Sequence, residues 1–217
     1  LLSLPQTPSI IAGVICGICV VVMLPGFMII QPNNSRVLTF FGRYAGTVIS
    51  NGFYWVNPLF LKSTVTLRIL NLNIDPIKVN DKVGNPIMIG AVVVWRIKDT
   101  YKASFDISGN IREFVQIQSD AALRQVAGMY AYDTNETIDK VTLRSDESGE
   151  ITQRLEDELN SRLAIAGIEI VEARINYLAY ASEIASVMLR RQQADAIISA
   201  RERIVEGAVS MVHLALE

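Results

Sequence analysis

The stretch NYLAYASEIASVMLRRQQADA, residues 176–196, joins two kinds of secondary structure. It begins with the alternating polar and apolar residues of a β-strand and continues as a helix rich in Ala and charged residues. It contains neither Cys nor His, and its residue types suit packing better than attack on a substrate. We interpret it as a structural joint that carries a folded domain into a long helix.

The helix after this joint is predicted to run from about Ser182 to Leu216, because this segment has no Pro and a single Gly, Gly207. At 1.5 Å per residue it would be roughly 50 Å long, which is more than a compact domain of this size needs, so we expect it to project. Nine of its positions follow a strict 3-4 spacing, typical of a seam buried against another helix. They are Val187, Arg190, Ala194, Ile197, Arg201, Ile204, Ala208, Met211 and Ala215.

The apolar members predict an oligomerisation helix with Val187, Ala194, Ile197, Ile204, Ala208 and Met211 at the contact. The alternative is that the helix folds back onto its own domain.

Upstream of the joint, the pattern predicts a strand over residues 167–178 and helices before it. The strand has Val171, Ala173, Ile175 and Tyr177 on the face predicted to be buried. A helix over about residues 148–166 has a stripe of Ile151, Leu155, Leu159 and Leu163. Another helix opens at Asn110, with Glu113 as its capping partner, and ends near Gly128. A short helix is predicted over residues 100–105.

Strands dominate the chain from Ser35 to Ile97. PIMIGAVVVWRI (86–97) is almost continuously apolar, which is typical of a strand covered on both faces. In TVTLRILNLNI (64–74) the alternation slips by one residue between Ile69 and Leu70, which predicts a bulge or a change of buried face. Asn51-Gly52 lies between apolar runs and predicts a hairpin turn.

The N-terminal segment PSIIAGVICGICVVVMLPGFMII (8–30) has no charged residue, and Arg36 is the first charge in the chain. About 20 apolar residues span a bilayer core of roughly 30 Å, so we predict a membrane anchor that crosses fully or dips in and returns. The predicted anchor residues are Ile10, Ile11, Val14, Ile15, Ile18, Val20, Val21, Val22, Leu24 and Phe27. Arg36, Arg43, Lys62 and Arg68 after it favour a cytoplasmic domain. Because the first residue is Leu, we expect a fragment or a processed chain.

Composition excludes several classes of function. The 20 Lys+Arg and 22 Asp+Glu residues nearly balance, so we expect no nucleic acid partner. His213 is the only histidine, and Cys16 and Cys19 lie within the apolar segment, so we expect no Cys-His catalytic pair, no metal site and no cofactor.

Two alternatives remain open. One is a hydrolase with an unrecognised Ser nucleophile, and the other is a monomeric lipid-binding module that uses Phe40, Phe41, Phe53, Trp55 and Phe60.

Four segments together resemble the SPFH or band 7 superfamily of stomatins, prohibitins and flotillins, and especially its bacterial stomatin-like branch. They are the apolar anchor, QPNNSRVLTFFGRYAGTVISNGFYWVNP, VNDKVGNPIMIGAVVVWRIKDT and IEIVEARINYLAYASEIASVMLRRQQADAIISARERIVEGA. The sequence departs from the family at Ser182, where we expect Pro. It also ends at Glu217, where many members continue into a helical tail.

The resemblance implies an α+β fold in three parts: a membrane anchor (1–30), an SPFH domain (31–180) and the start of a coiled-coil segment (181–217). It also implies a non-enzymatic scaffold that forms ring- or cage-like homo-oligomers and organises a membrane microdomain. Its expected partners are copies of itself, membrane lipids and a membrane protein or protease that it encloses and regulates. Its expected location is a bacterial cell membrane.

Overall fold

The computed structural model describes residues 6–133, 142–145 and 149–216, and the side chains from Ala12 to Ala215 within these ranges. Helix α1 (Gln6–Met23) comes first and passes through a 3₁₀ turn (Leu24–Gly26) into strand β1 (Phe27–Ile30). Across these described ranges, no helix is both long enough and apolar enough to cross a membrane. The predicted transmembrane crossing is therefore not confirmed.

Two small antiparallel sheets follow α1. Strands β2 (Asn34–Phe40), β3 (Arg43–Val48) and β5 (Leu61–Thr66) form one sheet in the order β3-β2-β5. Strand β4 (Gly52–Trp55) pairs with β1, with Ile30 opposite Gly52 and Phe27 opposite Trp55. Met28, Ile30 and Leu38 form a buried cluster with Val48, Tyr54, Val56 and Phe60 packed against it.

The hairpin predicted at Asn51-Gly52 is wrong, because the strands on its two sides pair with different partners. The observed tight turn lies at Phe41-Gly42, between β2 and β3, where both residues have positive φ (46° and 80°). Two consecutive positive φ values give the twist that a two-residue hairpin requires.

The phase slip at Ile69-Leu70 is a break between two strands rather than a bulge. Strand β5 ends at Thr66, and the next strand, β6 (Leu70–Asn80), belongs to a different sheet. Val65 is buried in the first sheet, whereas Leu72 and Ile74 are buried in the second. The slip marks the point where the chain changes the core that it joins.

The third sheet has the order β6-β7-β8, with β7 (Pro86–Ile97) in the centre and β8 (Ile168–Tyr180) at one side. Ala181 N–H donates to Pro86 O (3.0 Å), and Lys98 N–H donates to Gly167 O (2.9 Å), so β7 and β8 run antiparallel. Ile87, Ile89, Ala91 and Val93 on one face have no exposed surface, whereas Met88, Val92 and Val94 on the other face are half-buried. The predicted strand 86–97 is therefore confirmed, and its predicted coverage on both faces is only partly right.

Five helices complete the described ranges: α1, α2 (Thr100–Phe105), α3 (Ile111–Met129), α4 (Glu150–Leu163) and α5 (Ser182–Leu216). Asn110 Oδ1 accepts from Arg112 N–H (2.9 Å), which confirms the predicted start of α3. The predicted stripe on α4 is also confirmed, because Ile151, Leu155, Leu159 and Leu163 are at most 1% exposed. A 3₁₀ turn follows α4 and ends at Gly167, whose φ of 68° suits the glycine.

The chain divides into two compact units. The first comprises the described residues within Leu1–Leu70, Val94–Phe114 and Arg162–Val171, and the second those within Asn71–Val93, Val115–Ser161 and Glu172–Glu217. The second unit buries the α4 residues Leu155 and Leu159 together with Leu123 and Val126 of α3.

The predicted burial of β8 is only partly right. Val171 and Tyr177 are each 47% exposed, whereas Ile168, Ile170 and Ala173 are buried. The buried face changes between Ile170 and Ala173, where the strand passes from the first unit to the second. Each part of β8 therefore buries the side chains that its own unit requires, and a single period-2 pattern does not describe both.

Asp120 on α3 gives the stability of the second unit a pH dependence. Its Oδ1 is shielded from solvent without a hydrogen-bond partner, and burial raises the pKa of this carboxyl above its usual value. Arg124 opposes this effect and Asp75 adds to it. The folded protein binds the proton of this carboxyl more tightly than the unfolded chain, in which the pKa is 3.8. Its folding stability therefore falls as the pH rises from 3.8 through the folded-state pKa.

We therefore expect Asp120→Asn to be more stable than the parent at pH 7, with an advantage that shrinks as the pH falls towards 3. Denaturant midpoints measured at several pH values check this. As a control, the exposed Asp106→Asn removes a carboxylate at the surface and should change the free energy of unfolding at pH 7 by no more than about 0.5 kcal/mol. An advantage for Asp120→Asn that is the same at every pH would contradict the assignment.

Candidate membrane and self-association surfaces

Helix α1 presents an apolar surface that nothing in its own chain covers among the described residues. Eight of the predicted anchor residues are 48–67% exposed: Val14, Ile15, Ile18, Val20, Val21, Val22, Leu24 and Phe27. The other two, Ile10 and Ile11, lie on α1, but their side chains are outside the described part. A contiguous apolar surface of this kind is typical of a site that contacts a membrane or another protein.

The end of α1 is tied to the strands that follow. Trp55 Nε1 donates to Met23 O (3.3 Å), and Lys62 Nζ donates to Pro25 O. Val56 N–H donates to Gly26 O (2.9 Å), and a Cβ at Gly26 would lie 2.5 Å from Trp55 Nε1, so only glycine fits there. The apolar surface therefore continues from α1 onto the strands, where Phe27 and Phe53 stack with ring centroids 5.3 Å apart.

The sequence analysis used the four basic residues that follow this surface, but it missed that no carboxylate accompanies them. The first carboxylate of the chain is Asp75, although four basic residues precede it: Arg36, Arg43, Lys62 and Arg68. The chain as a whole has a net charge of −2. The order of charged residues along the chain shows this asymmetry, whereas the nearly balanced net charge of the whole chain conceals it.

The joint between β8 and α5 is held by contacts within the second unit. Tyr180, the last residue of β8, packs on Tyr132 with ring centroids 4.0 Å apart. Asp133 Oδ2 accepts from Gln192 Nε2 on α5 (3.3 Å) and from Arg144 Nη1 (2.9 Å). Lys78 pairs with Glu183 in the first turn of α5, and this hydrogen bond lowers the pKa of Glu183.

The side of α5 that faces its own domain is short. Ile184, Met188, Gln192 and Asp195 are half-buried and share one face at 4-4-3 spacing. From Ala196 to Ala215 every side chain is exposed. The helix therefore packs on its own domain over its first turns alone. Residues 196–215 do not fold back onto the domain, which was the alternative to an oligomerisation helix.

The predicted oligomerisation residues point away from that domain. Val187, Ile197, Ile204 and Met211 are 55–71% exposed, and Ala194 and Ala208 are also exposed. At about 100° per residue, the mean direction of these six side chains lies roughly opposite to the face of Ile184 and Met188. We call the six residues the seam.

A second apolar stripe on α5 was missed by the sequence analysis. Ile198, Val205, Val209 and Val212 are 55–62% exposed and lie about 90° around the helix from the seam. Their 7-4-3 spacing is a second heptad pattern, shifted by one residue from the first. One helix therefore has two apolar sides, which suits contact with two neighbouring helices.

Potential catalytic and metal-ligating groups are dispersed. Among the described residues no group of three or more His, Cys, Asp or Glu is arranged to hold a metal ion. His213 lies exposed on α5, and Cys16 and Cys19 are free thiols on α1. Glu156 on α4 accepts from Ala173 N–H (3.1 Å) and therefore has a structural contact.

An α+β domain with an uncovered apolar helix before it and a long exposed helix after it is organised as an interaction protein. The family model of the SPFH domain / Band 7 family matches residues 28–208, more than half of the chain, and the chain belongs to this family. Family membership indicates a membrane-associated, scaffold-type role in general. A comparison with curated proteins finds no match.

Proposed function

We propose that the chain is a non-enzymatic scaffold whose working form is a large assembly of identical copies attached to a membrane. In this proposal the domains stand side by side and the α5 helices pack into a ring or cage. The assembly surrounds a patch of bilayer, organises it as a microdomain, and encloses a membrane protein or protease that it regulates. We further propose that the chain belongs to the bacterial stomatin-like branch and has no nucleic acid partner.

The observation that supports self-association most directly is the direction of the seam. A side chain such as Ile204, which is 71% exposed, gains nothing in a single copy. Burial of one Ile, Val or Met side chain stabilises by about 1.5–3 kcal/mol, so the seam offers several such contributions when copies meet. The second stripe supports contact with two neighbours rather than one, as a closed ring of helices requires.

Attachment to the membrane is supported by the exposed residues of α1 and by the basic residues that follow it. Apolar side chains enter the acyl region, and Lys and Arg are attracted to anionic headgroups. The excess of basic residues after α1 favours the cytoplasmic side for the domain.

The test of this proposal is the mass of the full chain after extraction in mild detergent, combined with imaging of the particles. We expect a discrete assembly of many copies with a uniform outline. Single copies at every protein concentration would overturn self-association. Failure of the full chain to float with vesicles of any composition would overturn membrane attachment.

A further inference from the structure

A cavity of about 610 Å³ lies beside the end of α1 in the first unit. Phe27, Ile29 and Phe53 form its apolar wall, and Arg36 and Lys62 are the charged residues that line it. Asn34 and Thr64 add polar atoms. The cavity therefore combines an aromatic and aliphatic wall with two cations.

The two cations are brought together by strand register. Arg36 on β2 lies opposite Thr64 on β5, and Lys62 lies opposite Leu38. Because side chains alternate between faces, Arg36 and Lys62 share one face as diagonal neighbours, within reach of one ligand for side chains of this length.

Among the described residues, no acidic side chain lines the cavity or pairs with either cation, and none precedes Asp75 in the sequence. The guanidinium of Arg36 has no hydrogen bond or ion pair with any residue in the described ranges. Lys62 donates to Pro25 O, but an ammonium has three donors. Phosphate oxygens are the acceptors that best match an Arg and a Lys at one site.

The position of the cavity identifies the kind of phosphate. Lys62 contacts Pro25, two residues beyond the end of α1, and Phe27 begins β1 two residues after Pro25. If α1 enters a bilayer as proposed above, this cavity lies where the headgroups lie. The apolar wall then meets the first methylenes of a lipid, while the cations meet its phosphate.

We infer that this cavity binds the headgroup phosphate of an anionic phospholipid, with Arg36 and Lys62 as the phosphate ligands and Phe27, Ile29 and Phe53 against its chains. This inference rests on the proposed membrane attachment. It adds a lipid preference, which attachment by α1 alone does not provide.

The test is calorimetric titration of the detergent-solubilised full chain with dihexanoyl phosphatidic acid and, in parallel, with dihexanoyl phosphatidylcholine. We expect the parent to bind the anionic lipid about 30-fold more tightly, from about fivefold for each of the two cations. Arg36→Gln with Lys62→Gln should reduce this preference to less than about threefold. Arg43→Gln with Arg68→Gln is the matched control, because it also removes two positive charges, but from exposed positions outside the cavity.

Retention of the preference in the control and in the charge-conserving Arg36→Lys/Lys62→Arg variant would support the site. An equal loss in the control would show diffuse attraction and overturn the inference. Tighter binding of inorganic phosphate than of the anionic lipid, measured in the same titration, would make soluble phosphate the ligand and also overturn it. A parent that floats equally well with neutral and anionic vesicles would refute the lipid preference while leaving membrane attachment intact.

Discussion

Replacing Ile197 and Ile204 with Asp is expected to convert the proposed assembly into single copies or small oligomers without unfolding the domain. Both side chains are more than half exposed in one copy, so the substitutions remove no packing within it. In an assembly built on the seam, each substitution loses the burial of an Ile and places a carboxylate in an apolar contact. The combined cost of about 4–6 kcal/mol per copy corresponds to roughly 10³- to 10⁴-fold weaker association.

The matched control is Ala196→Asp with Ser210→Asp. It adds the same two carboxylates to α5, but on the side of the helix away from both apolar stripes. We expect the control to keep the mass of the parent in detergent and the seam variant to lose it. A seam variant that assembles like the parent would refute the role of these residues, even if the protein is oligomeric by another surface.

Asp81→Ala is expected to destabilise the second unit by about 3–5 kcal/mol, because it removes the shared acceptor of four partly buried hydrogen bonds. Asp81 is 5% exposed and follows β6. Its carboxylate accepts from Val83 N–H (3.0 Å), from Asn85 N–H and Nδ2 (2.7 and 3.2 Å), and from Tyr132 N–H (3.1 Å). These bonds fix the turn before β7 and place Tyr132 where it packs on Tyr180 at the root of α5.

Denaturant unfolding and hydrogen exchange at the amides of Val83, Asn85 and Tyr132 measure the effect. The exposed Asp106→Ala is the control and should change the free energy of unfolding by no more than about 0.5 kcal/mol. Asp81→Asn keeps one acceptor oxygen and should fall between the two. Unchanged protection of the three amides in Asp81→Ala would show that the carboxylate does not hold this joint.

Much of the fold follows from local patterns. The α4 stripe, the strand 86–97, the cap at Asn110 and the start of α5 at Ser182 were all predicted, because each depends on neighbouring residues within one element. The partners of strands were not predictable in this way. Asn51-Gly52 has the composition of a hairpin turn, yet β4 pairs with β1, because pairing depends on which distant strand is available to bury Met28 and Ile30.

The same distinction between local patterns and distant contacts holds for the candidate surfaces. The residues of the seam were identified from their spacing alone, and the structure places them away from their own domain. The cavity with Arg36 and Lys62 was not identified, because its members come from β1, β2, β4 and β5 and have no shared spacing. The second stripe and the absence of carboxylates before Asp75 were visible in the sequence but were not recognised.

The sequence by itself determined the type and extent of most helices and strands, the apolar character of α1 and the heptad pattern of α5, since all of these depend on interactions between near neighbours in the chain. Only the tertiary structure decided which face of α5 its own domain covers, which strands pair, and which cations meet in one cavity. These outcomes depend on contacts between residues far apart in the chain, and many arrangements of the same local elements compete until burial and hydrogen bonding select one.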